Sequence, residues 1–72
     1  MSMRDVIEKL KAKHEAAERQ VSEYDELVLK AKDEDARMRY LVEKNFWLGM
    51  AYASQAALAV AVQEEVTGGT PF

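Results

Sequence analysis

Met3, Ile7, Leu10, His14, Ala17, Val21, Tyr24, Val28 and Ala31 advance along the chain by alternating steps of four and three. That spacing keeps one stripe of a helix turned toward a neighbouring helix, the pattern of a coiled-coil seam. It predicts a helix over residues 3–31, with Ile7, Leu10, His14, Val21, Tyr24 and Val28 as interface positions. On the other faces Asp5 precedes Lys9, Glu15 precedes Arg19 and Glu26 precedes Lys30. Each acid lies four residues before its base, the favourable order on a solvated helix surface. Ser2 followed by Asp5 resembles a capping box with a shortened acid, which places the helix start near Met3.

Little interrupts this pattern. Before residue 68 there is one glycine, Gly49, and no proline, so the second half is expected to be helical too. At Lys30-Ala31-Lys32-Asp33-Glu34-Asp35 the charge changes sign, bases closing one segment and acids opening the next. Helix dipoles favour that order where a C-terminus is followed by an N-terminus. The switch predicts a turn, with Asp33 capping a second helix over 35–66. The alternative is one continuous long helix, which pairs of Asp33 with Arg37 and Asp35 with Arg39 would support. Two segments of roughly 45 Å each, at 1.5 Å per residue, match in length and favour the turn. The expected fold is all-α: a long helical hairpin with coiled-coil character, residues 1–72 forming a single helical domain. Thr67-Gly68-Gly69 acts as a helix brake, and residues 67–72 form a short tail whose terminal Phe72 suits a partner's pocket.

A chain of 72 residues buries too small a core to be comfortable alone, so disulfides, a metal or association is needed. With no cysteine, disulfides, thiolate zinc sites and cysteine nucleophiles are all excluded, and a reducing, cytoplasmic setting is expected. Association is the remaining support. A net charge of −3 provides no basic excess for phosphates, so nucleic acid is not an expected partner. Met1-Ser2-Met3-Arg4-Asp5 runs directly into a charged helical pattern, without the apolar core of a secretory signal.

From Asn45 to Gln63 no residue is charged, and Phe46, Trp47, Leu48, Met50, Tyr52, Leu58, Val60 and Val62 point in several directions round a helix. A single antiparallel neighbour cannot cover such a segment. Gly49, Ala53, Ala57 and Ala61 recur every fourth residue as a strip of small side chains, where a further helix is expected to approach closely. A homodimeric four-helix bundle is the simplest form. The alternative is a membrane span over 45–63 with a cytoplasmic N-terminus, in an accessory subunit of a membrane complex. Ser54 and Gln55 at mid-depth, and alanine rather than leucine as the main apolar residue, count against it.

No catalytic, cofactor or metal site emerges. His14 and Glu18 share a helix face at a spacing that suits two metal ligands, yet bundle di-metal sites need Glu-x-x-His repeats, and Lys11 precedes His14 by three. His14 reads instead as a polar seam residue that fixes register. Glu15-Ala16-Ala17-Glu18 resembles the first carboxylate pair of helical nucleotide pyrophosphohydrolases, but a second pair is not evident; Asp33-Glu34-Asp35 is accounted for by the helix start. Ser22 and Ser54 lie far in sequence from the single histidine. Trp47-Leu48-Gly49 matches the tripeptide of the secreted WXG helical hairpins. There the tripeptide occupies the turn, whereas here it falls inside a helical pattern, and Trp47 is expected to be a core or interface anchor. The function expected is non-enzymatic: a small structural or adaptor protein that self-associates or joins a larger assembly through Trp47, Gly49, Ala53, Ala57 and Ala61. A small regulator that binds and inhibits another protein fits the size equally well.

Overall fold

The computed structural model describes residues 2–67. Two helices, α1 (Met3–Lys30) and α2 (Glu34–Thr67), form a hairpin 54 Å long and 20 by 15 Å across. Expected and observed helix limits agree to within a residue, and the continuous-helix alternative is overturned by the break at 31–33. The tail ending in Phe72, with Gly68 and Gly69, lies outside the described residues.

Each helix start is capped by the residue the sequence pointed to. Ser2 Oγ accepts from the Asp5 backbone N–H at 3.2 Å, and Asp33 Oδ1 accepts from the Ala36 N–H at 2.7 Å. These bonds satisfy amides that have no partner within the helix. Ala31 leaves α1 at φ −61°, ψ 133°, while its N–H returns to Val28 O at 3.4 Å. Any L-residue adopts that backbone, which explains how the chain turns without a Gly or Asn marking the exit. Replacing the cap, Asp33→Ala, is expected to cost about 1 kcal/mol of unfolding free energy. A thermal melt indistinguishable from that of the parent chain would show that the turn does not depend on this bond.

The stripe predicted for α1 is its inner face. Ile7 and Ala17 are buried, Ala17 to 2% exposure, while Leu10, His14, Val21, Tyr24 and Val28 are half-buried on the same side. α2 answers with a seam of its own: Tyr40, Lys44, Trp47, Ala51, Ser54, Leu58 and Ala61, again in steps of four and three. Ala51, Ser54 and Ala61 are buried. Small side chains at these places let the two backbones lie close together. Tyr24 meets Tyr40 near the turn, with ring centroids 6.3 Å apart, and the Lys44 ammonium reaches from the seam to Asp25 Oδ1 at 2.7 Å.

Surface charge pairs follow the expected order only in part. Of the three acid-before-base pairs expected on α1, Glu26 with Lys30 is the one that forms among the described residues, at 3.9 Å. Arg37 pairs with Glu34 at 2.8 Å instead of Asp33, because Asp33 is committed to its cap. Exposed pairs of this kind contribute little to stability.

Candidate functional site

Two features stand apart from ordinary hairpin packing. The first is a polar cluster inside the seam. The His14 ring crosses to α2, where Nδ1 lies 3.0 Å from the Ala51 carbonyl oxygen and 3.2 Å from Ser54 Oγ; Nε2 lies 2.6 Å from Glu18 Oε1 on its own helix. Ser54 Oγ in turn donates to Ala51 O at 3.1 Å. The connectivity, hydroxyl to imidazole to carboxylate, has the order of a nucleophilic triad.

Its surroundings suit a structural role better. Ser54 is 9% exposed, with its hydroxyl directed at a carbonyl of its own helix. The neighbouring amides are held within α2, so none is positioned to stabilise an oxyanion. The open groove beside the ring, about 380 Å³ in volume, is lined by His14, Glu18, Leu48, Ala51, Tyr52 and Gln55 and does not include Ser54. Among the described residues every buried side-chain polar atom has a hydrogen-bond partner, and no three His, Asp or Glu side chains converge as a metal site requires. Because His14 bonds to the backbone of the opposite helix, it ties one register of α1 to one register of α2.

The second feature is the face of α2 turned away from α1. Met38, Val42, Phe46, Gly49, Ala53 and Val60 are all exposed along it. At about 100° per residue these positions cluster about 150° round the helix from the α1-facing seam. They too advance mostly by fours and threes, so α2 carries two apolar stripes where α1 carries one. A Cβ built on Gly49 meets nothing within 4 Å. Val42 is 63% and Val60 62% exposed, and Phe46 packs edge-on to Trp47, with centroids 5.2 Å apart.

The residues expected to act together as an interface separate into two groups. Ile7, Leu10, His14, Val21, Tyr24 and Val28 lie in the hairpin seam, joined by Ala61 and the half-buried Trp47. Gly49, Ala53 and Ala57 face outward. The supposed four-residue strip therefore does not stay on one face: each step of four advances about 40° beyond a full turn, so Ala61 has rotated about 120° from Gly49. Ala51 and Ser54, which continue the true seam, were not singled out from the sequence. Their signal was present as the steps from Tyr40 through Ala61, but it was hidden among equally apolar neighbours and by a lysine in the seam.

No helix among the described residues is long and apolar enough to cross a membrane. The alternative of a span over 45–63 is set aside on that finding, alanine and the interspersed Ser54 and Gln55 giving too little apolarity. No family model, curated protein or solved structure matches the chain.

Proposed function

We propose that this chain is a non-enzymatic helical adaptor that acts by helix-on-helix association through the outer face of α2. The observation that carries this reading is the uncovered apolar stripe from Met38 to Val60, roughly 33 Å long at 1.5 Å per residue. Contiguous apolar surface of that extent on a small protein marks an interaction site. A helix that lays its apolar stripe along another is a recurring mode of recognition, read from anchors at heptad-like spacing. The satisfied polar cluster at His14 supports a scaffold held in one register, and the chemistry available to Ser54 is spent on the α2 backbone.

Light scattering after gel filtration in detergent-free buffer tests the reading. The expected molar mass is a multiple of 8.2 kDa, maintained on dilution across the micromolar range. A chain that stays at its monomer mass, with the α2 face unprotected in hydrogen exchange even in the company of cellular proteins, would contradict association through this face.

A further inference from the structure

We infer that the occupant of the outer α2 face is a second copy of this chain, laid antiparallel along α2 with the contact centred near Ala51. The inference rests on the association reading above and adds the identity, direction and register of the partner. Large and small apolar residues are unevenly distributed along the stripe. Met38, Val42 and Phe46 lie in its first half, whereas Ala53, Ala56 and Ala57 lie in its second. In an antiparallel pair each bulky half meets the small half of the other copy. Phe46 then falls opposite Ala56 and Ala57, Val42 opposite Val60, and Gly49 opposite Ala53, where the backbones approach most closely.

Charge selects the same direction. Arg39 and Glu64 lie on one flank of the stripe, about 20° apart round the helix, at its two ends. Antiparallel packing brings same-side flanks together, so Arg39 of each copy faces Glu64 of the other, and twofold symmetry makes the pair twice. A parallel pair sets this flank against the opposite flank of the other copy, so the Arg39–Glu64 pairs are lost, and it aligns bulky half with bulky half, which leaves the contact uneven in width. The stripe lies about 150° from the α1-facing seam, so the assembly is a row of four helices with the two α2 helices in the middle, and α1 does not contact its own copy. Displacing the copies by one turn separates Arg39 from Glu64 and moves Phe46 off Ala56 and Ala57, to Tyr52 and Ala53 in one direction and to Val60 in the other.

The chain contains no cysteine, which permits a direct test by disulfide trapping. Val42→Cys and Val60→Cys are made as separate single variants; both positions are well exposed, so neither change disturbs the hairpin. Each is oxidised alone and then mixed one to one with the other. In the antiparallel register Val42 lies about 27 Å along the axis from its own copy but directly opposite Val60. The expected result is a doubling of mass on a non-reducing gel in the mixture, abolished by reductant, with each single variant remaining at 8.2 kDa. Cross-linking of Val42→Cys to itself would establish a parallel pair and overturn the inference while leaving association intact. A dimer seen by scattering that is trapped in neither arrangement would place the contact elsewhere and overturn it too. A monomer by scattering would remove both the inference and the self-association reading, and only that outcome does so. As an independent check, Arg39→Glu is expected to weaken the dimer at least tenfold, and Arg39→Glu combined with Glu64→Arg to restore it; failure of the double variant to recover counts against the register.

Discussion

Ala17→Asp is expected to abolish the hairpin, seen as loss of most of the helical ellipticity at room temperature. Ala17 is the least exposed residue among those described, at 2%, and it faces α2 at the middle of α1. Burying a neutral polar group without a partner costs roughly 2–7 kcal/mol, and an ionised carboxylate costs more. A loss of at least about 3 kcal/mol is therefore expected. Stability per residue in small proteins is on the order of 0.05–0.15 kcal/mol, which for a chain of 72 residues amounts to roughly 4–10 kcal/mol; a hairpin whose described core is mostly alanine belongs toward the low end, where the loss takes most of the total. Ala12→Asp, on the solvated face of the same helix, serves as the control, since helix propensity alone costs it about 0.7 kcal/mol or less. Equal melting curves for the two variants would mean that the seam is not where the structure places it.

Trp47→Ala is the second large effect. The indole is half-buried at the α2 seam, and its ring supports Phe46 on the adjacent outer face. A fully buried tryptophan replaced by alanine costs about 3–5 kcal/mol; with part of the ring already in water, about 2 kcal/mol is expected here. In urea that lowers the midpoint by about 1–2 M, at a slope near 1–2 kcal/mol/M. An unchanged midpoint would show that the ring contributes to neither surface. Phe46→Ala provides the contrast. Its side chain is mostly exposed in the single hairpin, so it should affect association far more than the stability of the isolated chain.

How well the sequence could be read differed between the two helices for a physical reason. On α1 most apolar residues other than the exposed Leu27 and Leu29 occupy one stripe and charges occupy most of the rest, so period and face are visible together, and the seam from Met3 to Val28 is where the spacing puts it. Both caps were also legible, because Ser and Asp satisfy helix-start amides by short-range chemistry that packing does not override. On α2 the charges stop at Lys44 and resume at Glu64, and a segment without polar contrast has a period but no visible face. Two stripes about 150° apart were consequently merged into a single strip of small residues. Lys44 deepened the ambiguity, since a lysine in a seam reads as a surface position until its partner Asp25 on α1 is known. The bond from His14 to Ala51 and Ser54 was out of reach altogether, because it depends on the register between helices.

The narrowness of the seam has a consequence for how much of this chain a cell can keep. Ala17, Ala51, Ser54 and Ala61 are its most buried residues along with Ile7, and among the described residues no large side chain is fully enclosed. A lone hairpin so lined holds little reserve against thermal opening, and opened chains are what proteases degrade. On the proposed association through α2, a partner that binds the folded form alone would draw the folding equilibrium toward itself by mass action. Under the proposed pairing, abundance would then have a threshold: copies too dilute to pair stay open to removal, and those concentrated enough to pair are held folded.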